Sequence, residues 1–208
     1  MTPILTVDAA AAVLRRGGIV AYPTETFYGL GALATDRAAL ARLGASKLRP
    51  AGKPLPLIAA DEAQVATLAT LADPLARALA ARFWPGPLTL VLPAAVGLDP
   101  AIAGPAATVG IRVPGAPLAR ALARAAGAPI VSTSANLAGE PPVTRADRLS
   151  PALLVAIDGV VDGGETPGGV PSTVVAVEAG RVRLVRDGAV PWREVAAVAA
   201  AAAGAGNP

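Results

Sequence analysis

The chain has 208 residues, enough for one sizeable core or at most two small domains, and 53% of them are apolar, far more than a disordered chain carries. Only 3% are aromatic, so the core must be built from Ala, Leu and Val, and a net charge of +3 suits an anionic ligand without demanding one. Cysteine and histidine are both absent, which excludes disulfides, thiol nucleophiles, Cys or His zinc sites, His general bases and the Ser-His-Asp triad.

Residues 6–16, "TVDAAAAVLRR", predict a helix opened by a Thr6 cap and stopped by Gly17 and Gly18. "GIVAYPT" reads as a short buried strand, and "DRAALARLGASK" as an amphipathic helix with Asp36 at its start. "PLPLIAA" is expected at a sheet edge, because its prolines cannot donate to a ladder. Residues 61–83 read as two helices divided near Asp73 and Pro74. "PLTLVLPA" and "TVGIRVP" follow as strands, then "PLARALARAAG" as a helix ended by Gly127. "PIVSTSAN" starts as a strand and turns polar; beyond it come a short helix near "PALLVAID" and the strands "GVVDGG", "STVVAVE" and "RVRLVRDG". Interleaved helices and strands, with consecutive strands at the end, predict an α/β (α+β) domain on one mixed sheet. No composition shift divides the chain, so one domain is expected over 1–194, followed by an Ala-rich tail over 195–208 that starts helical and frays.

The mean hydropathy of +0.54 is high for a soluble protein. The apolar runs are nevertheless cut by Pro and Gly well short of the ~20 residues a span needs, and the N-terminus lacks the basic start of a signal peptide. A cytoplasmic protein with no membrane contact is expected.

Four polar stretches interrupt the Ala/Leu/Val background. "YPTETFYGLG" sets hydroxyl side chains, Thr24 and Thr26 among them, and a carboxylate between a strand and two glycines; alone it reads as a turn in which Thr24 and Thr26 cap backbone groups. Its Gly-Leu-Gly is a weak echo of a dinucleotide-binding loop, without the acidic residue about 20 positions on that such loops carry. "SKLRPAGKPLPL" holds Lys47 and Lys53, the only lysines among eighteen Lys plus Arg, with Arg49 between them. Such a loop is either solvated or a polyphosphate clamp combining point charges with a planar fork, and it is not a Walker loop. "STSANLAGEPP" offers Ser132, Thr133, Ser134 and Asn136 at the end of a strand, where α/β sheets commonly bind ligands. The fourth group is Ser172 and Thr173 at the start of a strand and Arg186 at the end of the next, with Arg112 in an otherwise apolar strand, facing outward or held by a carboxylate.

In chain order, "AYPTETFYGLG", "KLRPAGKPL", "FWPGPLTLVLP", "VGIRVPGAP", "PIVSTSANLAGEPP", "PSTVV" and "RLVRDGAV" resemble the YrdC-like threonylcarbamoyl-AMP synthases, from about residue 17 to 190. The resemblance is to the short, single-domain bacterial form. It implies a twisted mixed sheet flanked by helices, around a large electropositive cavity. It also implies a reaction joining L-threonine, bicarbonate and ATP into threonylcarbamoyl-AMP and pyrophosphate. The adenylate would pass to a transferase that modifies tRNA position 37 to t6A, and contact with tRNA or double-stranded RNA is a further expectation. Carried over by position, Thr26, Arg112, Ser132 and Ser172 would hold threonine, with Arg112 on its carboxylate. Lys47, Arg49, Lys53, Ser134, Asn136 and Arg186 would hold ATP, and Lys47 and Arg49 would be the residues turnover depends on.

Mg²⁺ is expected with ATP, though no carboxylate cluster marks its ligands, and no zinc, haem or flavin is expected. Some relatives carry a histidine five residues past the Lys53 position, near the substrate threonine; Ile58 stands there in this chain. The extra C-terminal domain of longer relatives is not expected either. Two other readings accompany this one. A paralogue like YciO would act as an RNA- or nucleotide-binding accessory protein. A carbamoyltransferase module like that of hydrogenase-maturation proteins fits less well, because those carry zinc fingers that a Cys-free chain cannot build.

Overall fold

The computed structural model describes residues 2–46, 54–104 and 106–204. Helix α1 (Val7–Arg15) starts where Thr6 accepts a bond from Ala9 N at 3.3 Å, and strand β1 (Val20–Pro23) follows the two glycines. Strand β2 (Tyr28–Gly31) turns back on β1, so the Gly-Leu-Gly lies inside a strand and opens no helix. Asp36 accepts from Ala39 N at 2.9 Å at the start of helix α2 (Arg37–Ser46). Strand β3 (Leu57–Ile58) leads to helix α3 (Glu62–Val65), then to helix α4 (Pro74–Phe83) and strand β4 (Leu88–Pro93). Asp73 caps α4 through Leu75 N at 2.8 Å, and its other oxygen accepts from Gly180 N at 3.1 Å. A cap of this kind contributes about 1 kcal/mol.

Strand β5 (Thr108–Arg112) precedes helix α5 (Pro117–Ala126), which ends at Gly127 with φ of 80°. Strands β6 (Ile130–Val131) and β7 (Thr133–Ser134) come next, then helix α6 (Pro151–Ala156) and strand β8 (Gly159–Val160). Strands β9 (Thr173–Glu178) and β10 (Arg181–Arg186) form a hairpin, and helix α7 (Trp192–Gly204) packs on α4 and β10. Val195 of α7 is fully buried in the main core.

The α/β class holds, but the strands form two mixed sheets where one was expected. One has the order β7-β2-β1-β8 and the other β10-β9-β4-β5-β3-β6. The run "PIVSTSAN" explains the division. Its first half pairs with β3 and its second half with β2, so the chain leaves one sheet and enters the other at Ser132. Strands of two residues leave room for such a bend, and nothing in local hydrophobicity records it. β3 is also interior, between β5 and β6. Its prolines, Pro54 and Pro56, precede the paired residues Leu57 and Ile58, so they remove no ladder donor. The first of the two helices expected over 61–83 is a single turn, after which Ala69 bridges to Ala94. Among the described residues no helix is long and apolar enough to cross a membrane.

Candidate active site

The six-stranded sheet is two-faced, as the period of two requires. Leu88, Leu90, Leu92, Val109, Ile111 and Val175 are buried in the main core. The alternate residues Thr89, Val91, Thr108, Gly110, Arg112 and Val174 line a cavity of about 1160 Å³. That exceeds the usual range of roughly 300–1,000 Å³ for small-molecule sites, so more than one substrate can be housed. The walls come from the turn after β1, from residues 54–56, from Ser132–Ser134 at the crossing between the sheets, and from residues 141–142 and 169–172. Val185 and Arg186 close the side along β10.

Each candidate side chain has an identifiable support. Thr24 shapes the turn after β1: its Oγ1 accepts from Thr26 N at 3.2 Å and Phe27 N at 3.3 Å and donates to Phe27 O at 2.7 Å. Thr26 is thereby presented on the wall, 3.3 Å from Thr24 Oγ1 between the hydroxyls. The wall segment 163–171 is tied to this hairpin by Gly168 N donating to Thr26 O at 2.7 Å and by the Tyr28 hydroxyl donating to Gly164 O at 2.8 Å.

Arg112 ends β5 on the cavity floor and is only 5% exposed. Its Nε donates to Glu25 Oε1 at 3.1 Å, and its other four N–H donors have no bond to any described residue. Beside it lies Tyr22, whose hydroxyl donates to Val131 O at 3.1 Å. Burial pushes the Tyr22 hydroxyl far up, opposed by a bond from the Ser132 side chain and by the charge of Arg112, so it stays a neutral donor.

Ser172, just before β9, lies 3.0 Å from Thr89 Oγ1, hydroxyl to hydroxyl. Arg186 folds back on Ser172, donating from Nη2 to its carbonyl at 2.6 Å and its Oγ at 3.0 Å. Arg186 reaches inward because the β9–β10 register slips between Leu184 and Arg186. Burial lowers its pKa, and the nearby charge of Arg112 adds to the effect. The loop behind it needs a glycine: a Cβ at Gly188 would sit 2.4 Å from Pro171 O and 2.5 Å from Thr173 N.

Six of the residues expected from the sequence therefore share one cavity: Thr26, Arg112, Ser132, Ser134, Ser172 and Arg186. Asn136 stands apart from the lining, its amide donating to Leu137 O at 2.9 Å and Glu140 O at 2.6 Å. Lys47, Arg49 and Lys53 lie outside the described residues; α2 ends just before that segment and Pro54, just after it, lines the cavity. Ile58 is fully buried in the second core cluster and paired with Arg112 and Ile130. Sequence reasoning gave no role to Glu25 or Thr89. Thr89 was detectable as the one hydroxyl in the apolar run "LTLVL".

A cavity over a mixed sheet, floored by hydroxyls and an arginine with donors to offer, has the chemistry to suit polar, anionic small molecules. The chain belongs to the Sua5/YciO/YrdC family, described as telomere recombination, whose family model matches residues 12–188. It is 43% identical over 190 residues to a threonylcarbamoyl-AMP synthase of Bacillus subtilis, covering 91% of this chain and 55% of that protein. It is 46% identical over 167 residues to a threonylcarbamoyl-AMP synthase of Stenotrophomonas maltophilia, covering 79% of this chain and 89% of the relative. Its fold matches the crystal structure of Pyrococcus abyssi Sua5 complexed with L-threonine with a TM-score of 0.87 at 41% identity, over 92% of this chain and 56% of that one. The chain thus spans little more than half the length of two of these three relatives.

Proposed function

We propose that this chain is an L-threonylcarbamoyladenylate synthase, a nucleotidyltransferase that uses L-threonine, bicarbonate and ATP. The observation that carries the reading is the Arg112 guanidinium. It lies on the floor of a large cavity, held by one bond, with Ser132, Ser172 and Thr26 among the residues around that cavity. A guanidinium edge with unbonded N–H groups matches an amino-acid carboxylate in bidentate geometry, and the hydroxyls suit the ammonium and side-chain hydroxyl of threonine.

The chemistry needs no protein nucleophile. The threonine amine attacks bicarbonate carbon, a C–N bond forms, and water leaves with the bicarbonate hydroxyl. A carbamate oxygen then attacks the α-phosphorus of ATP, and the bond to the β-phosphate oxygen breaks to release pyrophosphate. The protein's part is to align the two reactants and to neutralise phosphate charge. Arg186 and Ser134 fall to the nucleotide, together with Lys47, Arg49 and Lys53 of the segment that reaches the wall at Pro54. Among the described residues the lining contains arginine and no carboxylate, in keeping with an electropositive cavity.

The described residues gather no group of three or more Asp, Glu, His or Cys, so Mg²⁺ belongs with the nucleotide phosphates as part of the substrate. The adenylate is a reactive mixed anhydride, and a t6A transferase acting on tRNA is the partner that consumes it. Relatives named as synthases at 43% and 46% identity favour this reading over an accessory RNA- or nucleotide-binding role.

The test is pyrophosphate release from ATP with threonine and bicarbonate each left out in turn. Release is expected only when all three are present. Release that persists without threonine, or without bicarbonate once dissolved CO₂ is removed, contradicts the assignment.

A further inference from the structure

The turn that carries Thr24 and Thr26 to the cavity wall sends the residue between them the other way. Glu25 does not line the cavity; its stem runs beside Gly115, where an added Cβ would lie 3.7 Å from both Glu25 Cβ and Cγ. From behind, its Oε1 accepts from Arg112 Nε at 3.1 Å. The two side chains are 15% and 6% exposed, so the pair is largely out of water. The second carboxylate oxygen, Oε2, is buried and has no hydrogen-bond partner.

That arrangement is unlike a pair built for stability alone. Arginine meets a buried carboxylate most favourably with two parallel N–H···O bonds, and a buried carboxylate oxygen without a donor is costly. Here the contact uses Nε only. Both Nη groups, the outer edge of the guanidinium, are left without a bond to any described residue, on a side chain that lines the cavity.

We infer that Glu25 is a positioning residue for substrate binding: it holds Arg112 by Nε and so keeps the Nη edge turned to the carboxylate of the amino-acid substrate. This rests on the reading of Arg112 as the carboxylate contact. Its negative charge also offsets one of the two arginines that line the cavity, Arg112 and Arg186, which lie close enough to act on each other. In the P-T-E-T stretch, Thr24 then forms the turn, Thr26 faces the cavity and Glu25 aims the arginine from behind.

The experiment measures threonine and ATP affinities separately, by calorimetry, for the full chain and its Glu25→Ala and Glu25→Gln variants. Glu25→Ala is expected to weaken threonine binding by about 30-fold or more, the scale for removing one partner of a buried charge pair at a binding site. ATP affinity is expected to hold within about threefold, since Glu25 lies outside the cavity. Glu25→Gln keeps an oxygen for Nε and loses only the charge, so it is expected to fall between Glu25→Ala and the parent. A pair of purely structural value would lower the melting temperature and weaken both ligands alike; that result, or unchanged threonine affinity in Glu25→Ala, overturns the inference.

If Glu25→Ala does not fold, Glu25→Gln decides: weakening of threonine alone by about threefold or more supports the role, and no change overturns it. Arg112→Ala separates the two levels. If it binds threonine normally, or if the parent chain binds none, the substrate reading fails and takes this inference with it. If Arg112→Ala loses threonine while Glu25→Ala does not, only the role of Glu25 fails.

Discussion

Arg112→Ala is expected to lower kcat/KM for threonine by about 100-fold or more, the loss that follows when a buried, hydrogen-bonded charge loses its partner. It is also expected to destabilise the fold by about 3 kcal/mol, because the Glu25 carboxylate is left buried with no cation beside it. The two losses have different origins and can be separated. The double variant Arg112→Met with Glu25→Gln removes both charges from the site, so most of the stability is expected to return. Turnover is not, because methionine offers no donor to a carboxylate. Urea unfolding and initial-rate kinetics on the two variants check both halves. If the double variant regains activity along with stability, Arg112 supports the fold and does not hold the substrate.

The second large effect concerns the segment with both lysines of the chain. Lys47→Ala and Arg49→Ala are each expected to reduce kcat by about 10²–10³-fold, the range for removing one donor aimed at developing charge. Their melting temperatures should match the parent. The segment starts where α2 ends and finishes at Pro54 in the cavity wall, on a chain whose other cations are all arginine. Two lysines and an arginine among prolines and glycine offer a polyphosphate both point charges and a planar fork. Kinetics with ATP varied, alongside thermal melts by circular dichroism, measure this. Near-parental rates in both variants mean that the pyrophosphate leaves without these residues.

Much of the candidate site was legible because its chemistry departs from the background. In a chain of Ala, Leu and Val, a hydroxyl or cation in or beside a strand stands out, and Thr26, Arg112, Ser132, Ser134, Ser172 and Arg186 all line the cavity. Local caps were legible for the same reason, as with Thr6, Asp36 and Gly127, each of which acts within a few residues of itself. What escaped depends on partners far along the chain. Nothing near Glu25 announces that it meets Arg112, 87 positions away. Nothing in "PIVSTSAN" reveals that its halves join different sheets, since both read as extended. The interior place of β3 is hidden in the same way, because its flanking prolines suggest an edge until the two paired residues are known.

The most direct measurement is mass spectrometry of the nucleotide products formed from L-threonine, ATP and ¹³C-bicarbonate. A new adenylate is expected that carries the threonine mass and the heavy carbon together, formed along with pyrophosphate. An adenylate of threonine without the heavy carbon, or AMP and pyrophosphate with no adduct at all under conditions that preserve mixed anhydrides, would contradict carbamate formation ahead of adenylyl transfer.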